Sequence, residues 1–156
     1  MDTDSHQKEP SLSTEQIRDG VAARLDKYRG RNLFERFAMF MGMAQLLELT
    51  LKGLLHHRYG VDPDSMERWT LGRVSNALKE RQLREDFTTL LDSVVVYRNH
   101  IAHELLVNEL VLRDLTGGKE TRLESRHLDK GIYEVEQLML LYEWTDERGG
   151  WDGLAA

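Results

Sequence analysis

Residues 32–59 contain no proline, and their apolar side chains recur at steps of three and four. Phe37, Phe40, Ala44, Leu47, Leu51 and Leu54 form one stripe, and Met39, Met43, Leu46, Thr50 and Gly53 form a second, partly apolar face. That spacing predicts a single long α-helix. A helix apolar on two faces is buried on two sides. It either runs through the middle of a bundle or is shared between a core and a dimer interface. His56, His57 and Arg58 supply the cations that favour a helix C-terminus, and Gly60 suits the stop.

The rest of the chain is also free to be helical, because its only prolines are Pro10 and Pro63. Ser13 and Gln16 form a capping-box pattern for a short helix to about residue 28, with Ile17, Val21 and Leu25 on one stripe and Gly30 after it. Residues 61–68 carry the turn chemistry Asp-Pro-Asp-Ser. Thr70 caps a predicted helix to about residue 81. Another helix starts near residue 84 and brings Phe87, Leu90, Leu91, Val94 and Val95 inward. The β-branched run Val94-Val95-Val96 could suggest a strand, but the upstream spacing and the lack of a partner strand favour helix. Residues 104–116 fit either a continued helix or a short extended piece. Gly117-Gly118 then breaks the chain. A last helix is expected over 125–147, with Leu128, Ile132, Val135, Leu138, Met139 and Tyr142 inward. The prediction is an all-α bundle of four to five helices with one long central helix. Residues 13–147 form a single domain, and residues 1–12 and 148–156 are expected to be flexible tails.

Composition excludes several function classes. The 156 residues suffice for one domain with a full core. There is no cysteine, which removes disulfides, thiolate chemistry and Cys-type zinc sites and fits a reducing cytoplasm. The polar N-terminus lacks the apolar region of a secretory signal. No apolar run approaches the roughly 20 residues of a membrane span. The net charge of −6 argues against nucleic-acid binding through a broad basic surface, so any such contact should be local.

Residues 97–106 read Tyr-Arg-Asn-His-Ile-Ala-His-Glu-Leu-Leu and follow the apolar run directly. Arg98, Asn99, His100 and His103 are costly to bury without partners. Arginine offers a fixed cation with a planar fork of donors. Histidine exchanges protons near neutral pH. Together they suit proton transfer next to a phosphate. On a straight α-helix, Asn99 and His103 share a face. Arg98 and His103, five apart, diverge by roughly 140°. A bend, the reach of the arginine or a second copy must bring them to one target. A two-fold axis at this helix would set two such sets in one cleft.

The pattern R-N-x-x-A-H (Arg98, Asn99, Ala102, His103) resembles the signature of HEPN-domain ribonucleases. So do the long helix with its internal acid Glu48, the turn at Tyr59-Gly60 and the helix start Thr70-Leu71-Gly72. The resemblance covers roughly residues 30–145. It implies a helical bundle that dimerises through the motif helices and cleaves RNA without a metal. The ribose 2′-hydroxyl attacks the adjacent phosphorus, giving a 2′,3′-cyclic phosphate and a 5′-hydroxyl. By this resemblance His103 is the general base or acid and Arg98 holds the phosphate. Asn99 orients the histidine or holds RNA backbone, and Glu48 completes the pocket. His100 faces the dimer cleft or solvent. No cofactor is implied, and neither His100/His103 nor His56/His57 has a third ligand at diagnostic spacing for a metal. Leu105 stands where antitoxin-modified members carry a tyrosine, so that regulatory pairing is not implied. The expected partners are RNA, a second copy of the chain and an antitoxin or other regulatory protein. The alternative is a non-catalytic helical module of the same fold that binds RNA, nucleotide or a protein. A third class is an adaptor whose motif is structural. Without the resemblance, Arg98 and His103 would be a buried polar pair ending a core helix. Trp69, Trp144 and Trp151 could stack bases, but no basic cluster singles one out.

Overall fold

A computed structural model describes residues 11–117 and 122–152. Its helices are α1 (Thr14–Leu25), α2 (Leu33–Tyr59), α3 (Leu71–Glu80), α4 (Glu85–His100), α5 (Leu106–Thr116) and α6 (Arg122–Arg148). Short 3₁₀ turns follow α1 (Asp26–Tyr28) and precede α3 (Pro63–Met66). A π-helical segment, Ile101–Leu105, joins α4 to α5, so these form one continuous rod. The chain is therefore an all-α bundle of five rods. No strand occurs among the described residues, and one isolated bridge pairs Leu83 with Asp152.

Local chemistry starts and stops these helices where the residues allow. The Ser13 hydroxyl accepts from the Gln16 amide, and the Gln16 side chain accepts from the Ser13 amide. Asn32 and Glu35 repeat the device at the start of α2, satisfying donors that would otherwise lack partners. Gly60 ends α2 in the left-handed conformation, φ 68°. Val94, Val95 and Val96 are helical. Helix α6 begins three residues earlier than periodicity predicts and, like α2, has 27 residues.

The core stripe of α2 is as expected: Phe40, Ala44, Leu47, Leu51 and Leu54 are buried against α3 and α6. Its other face is open, with Leu46 and Leu49 exposed. By length and composition α2 could cross a membrane, which a search for unbroken apolar runs did not register. Here its inner stripe packs in the bundle. Helix α6 is the common neighbour of α1, α2 and α4. Gly131 lets it come close. A Cβ there would lie 2.8 Å from Ile101 Cδ1 and 3.1 Å from the Phe40 ring.

Two contacts close the bundle. Glu136 on α6 is fully buried, where a lone carboxylate would be strongly disfavoured. The Tyr28 hydroxyl donates to its Oε1 at 2.7 Å, and Lys27 Nζ lies 2.6 Å from the same oxygen. The second contact corrects the expected C-terminal tail. Trp151 is 2% exposed, edge-on to Phe87 at 5.0 Å, with its Nε1 donating to Asp146 at 3.0 Å. An aromatic ring with a partner for its N–H gains more by docking than a polar tail does. Residues 1–10 and 153–156 of the expected tails, and Gly118 of the expected break, lie outside the described residues.

Truncating Trp151 to Ala should lower unfolding free energy by about 3 kcal/mol. Urea denaturation would check this, and a loss below about 0.5 kcal/mol would show that the ring does not hold the terminus. Burial, then the hydrogen bond and charge of Glu136, push the Tyr28 hydroxyl well above its ordinary range. A raised folded-state value means its stability contribution is complete below the unfolded pKa of about 10 and lost as pH rises beyond it. Stability should therefore fall above about pH 10. Tyr28→Phe should flatten that fall, as denaturant midpoints measured across the range would reveal.

Candidate functional site

The segment 98–103 spans the end of α4 and the π segment. Buried residues explain the wide turn. Ile101, Leu105 and Glu109 are all fully buried and spaced four apart. On an α-helix each step of four drifts by about 40°. A turn with i→i+5 bonding absorbs that drift and keeps all three facing the bundle. It also turns the chain less per residue, so it reduces the divergence that a straight α-helix would impose between Arg98 and His103. The sequence expectation assumed α geometry throughout and left only bending, reach or a second copy. A widened turn is a fourth route, one that periodicity did not reveal.

Each candidate side chain has a defined setting. Arg98 is half-buried and lies with Met41, Ala44, Gln45 and Glu48 around a cavity of about 250 Å³ between α2 and α4. Glu48 is held by Lys52 at 3.0 Å, one turn along α2. No ion pair joins Arg98 to Glu48 among the described residues. The Arg98 guanidinium donates only a long 3.4 Å bond, to Asn99 Oδ1. Asn99 and His103 are exposed and do not line the cavity. The structure thus brings Arg98 and Glu48 to one cavity and leaves His103 exposed outside it.

His100 is turned elsewhere. It is half-buried, its Nδ1 lies 3.1 Å from Glu104 Oε2, and its ring meets His127 of α6 edge-on at 4.9 Å. The expectation that it faces a cleft or solvent is corrected by this inward setting. His127 was not among the candidates. Its neighbour lies on another helix, so nothing in the local sequence marks the pair. His56 and His57 behave as helix-end residues, with His56 Nδ1 3.0 Å from the Val61 carbonyl. Among the described residues, no three His, Asp or Glu side chains group in a way that could hold a metal.

An exposed apolar stripe flanks the motif. Val96 precedes it on the rod, and Val107, Leu110, Val111 and Leu115 follow it; Leu115 is 77% exposed. Helix α5 continues the rod from the π segment, and its Arg113 lies over the Phe34 ring of α2 at 5.1 Å.

No protein-family model matches the chain, and neither a curated protein nor a solved structure matches it. The site therefore rests on its own geometry and residue chemistry.

Because Arg98 and His103 carry little of the packing, Arg98→Ala and His103→Ala should each change stability by no more than about 0.5 kcal/mol. Thermal and urea unfolding would measure this. A loss above about 1.5 kcal/mol in either would mark it as a structural polar group rather than one held ready for a ligand.

Proposed function

We propose that the protein is a metal-independent endoribonuclease of HEPN type, cutting RNA at a composite site formed across a homodimer. The observation that carries this reading is the setting of R-N-x-x-A-H. A cation at a polar cavity and an exposed histidine five residues on are joined by a widened turn and rimmed by apolar side chains.

The chemistry follows from the groups present. The 2′-hydroxyl of RNA must lose a proton as it attacks phosphorus, and the 5′-oxygen leaving group must gain one. His103 of one subunit takes or gives a proton at neutral pH. Arg98 offers paired donors to the non-bridging phosphate oxygens and offsets charge that develops on them. Asn99, exposed on the same rod, holds RNA backbone or the histidine. Glu48, fixed by Lys52, shapes the arginine's cavity. His100, bound toward Glu104 and His127, supports the segment rather than touching RNA.

Dimerisation accounts for the open apolar face. Leu46 and Leu49 on α2, and Val96, Val107, Leu110, Val111 and Leu115 on the motif rod, are large apolar side chains left exposed, as at surfaces that meet another protein. A second copy across a two-fold axis at the motif rod covers that face and places two Arg98/His103 sets in one cleft. A cytoplasmic toxin or defence effector, held by an antitoxin or regulatory protein, is the setting that suits such an activity.

The test uses purified protein, Arg98→Ala and His103→Ala with total RNA in EDTA. Wild type should leave 2′,3′-cyclic phosphate ends, and each variant should lose at least about a hundredfold in rate. Val107→Asp with Leu110→Asp should yield a monomer by light scattering and lose cleavage with it. A folded, dimeric wild type that leaves RNA intact would instead favour a non-catalytic binding module.

A further inference from the structure

Seven arginine or lysine side chains sit over aromatic rings in this structure, and one of them differs from the rest. Lys27, Arg58, Arg84, Arg113 and Arg148 each have a carboxylate partner: Glu136, Asp152, Asp86, Glu109 and Glu147 respectively. Arg81 donates to the Ala77 carbonyl. Arg73 has neither kind of partner among the described residues, and its guanidinium lies 4.7 Å from the centre of the Trp69 ring. A cation in a chain of net charge −6 has many acids available. One held over an indole with no acid beside it presents its donors and outer face to solvent.

Arg73 is not alone in this. Arg68 is exposed with no partner among the described residues, and Arg98 has only its long bond to Asn99. The start of α3, which carries Arg73, packs against the part of α4 that leads into Arg98. Gly72, three residues after Trp69 and next to Arg73, brings the start of α3 against α4. A Cβ at Gly72 would lie 3.5 Å from Val95 Cγ1. Arg98 follows Val95 by three residues, one turn along the same side of α4. Trp69 itself is only partly covered, with one side packed on the core.

We propose that Trp69 and Arg73, with Arg68, form a binding platform for single-stranded RNA next to the phosphate held by Arg98. The indole supports the guanidinium, and a base stacks on the guanidinium's outer plane. Arg68 takes a neighbouring phosphate. Stacking on aromatic and guanidinium planes is how unpaired bases are held without sequence readout. The platform rests on the ribonuclease reading for its place beside Arg98, and it makes the substrate an unpaired strand rather than a duplex. It also reconciles RNA binding with an acidic protein, because contact is confined to one local group of cations.

The experiment measures binding apart from cleavage. The probe is a labelled 2′-O-methyl oligonucleotide of about twelve unpaired nucleotides, which lacks the attacking hydroxyl. Fluorescence anisotropy with full-length wild type should show saturable binding. Trp69→Leu, which keeps apolar bulk on the core side, and Arg73→Gln should each weaken it at least about fivefold. Arg68→Gln should flatten the log–log salt dependence by about 0.7. Trp69→Tyr should retain most of the affinity, and Trp144→Leu, whose arginine has an acid partner, should bind as wild type. Circular dichroism confirms that each variant is folded. Wild-type affinity in both Trp69→Leu and Arg73→Gln, or no binding by wild type, overturns the platform. An equal loss in Trp144→Leu overturns it too. If wild type binds the probe through Trp69 yet cuts no RNA, the ribonuclease reading fails and the platform stands. If wild type cuts RNA while Trp69→Leu binds normally, the platform fails alone.

Discussion

The close crossing of α6 at Gly131 governs the rest of the structure. Any side chain there would press on Ile101 from the π segment and on Phe40 from α2. Interiors are packed near crystalline density, so such a contact cannot be relaxed for little. Ile101 is thereby seated on α6, and the wide turn that begins with it is fixed in the same place. Where Asn99 and His103 point is a downstream result. The exposed chemistry is set by a contact in the middle of the bundle, two layers beneath it.

Charge plays a different part on each side of α6. On the α1 side, Glu136 is fully buried and shared by Tyr28 and Lys27. Replacing one member of such a group leaves an unpaired charge, so its value lies in specifying how α1 and α6 register rather than in net stabilisation. On the α3–α4 side, Lys79 pairs with Asp92 and Arg84 with Asp86. Arg68, Arg73 and Arg98 have no carboxylate partner among the described residues.

Helix positions were readable from periodicity because each buries a regular stripe and starts with local capping chemistry. Ser13 with Gln16, Asn32 with Glu35, and Gly60 all act through residues three or four apart, within reach of a pattern search. The π segment was not readable, because steps of four at Ile101, Leu105 and Glu109 fit a drifting α-helix equally well until burial shows all three facing inward. Trp151 was misjudged for a related reason. Its flanking glycines and acid resemble a tail, and its edge-on partner Phe87 is distant in the chain. Of the candidate site, the shared cavity of Arg98 and Glu48 accords with the residues singled out. His127 depends on a crossing that only three dimensions supply. Trp69 lies outside α3, two residues before its first residue, so helical spacing did not mark its contact with Arg73.

Helix α5 has an unusual balance of contacts. Glu109 is buried on one side of it and Arg113 lies over the Phe34 ring of α2, while Val107, Leu110, Val111 and Leu115 lie open. Elements with little apolar burial of their own sit at the low end of a protein's local stability. Whatever covers that stripe supplies burial that this chain does not. In the dimer proposed above, mass action links the order of α5 to the concentration of its partner. Because α5 continues from the wide turn, that linkage would reach Asn99 and His103. How rigidly those two side chains are presented would then depend on the population of chains in solution.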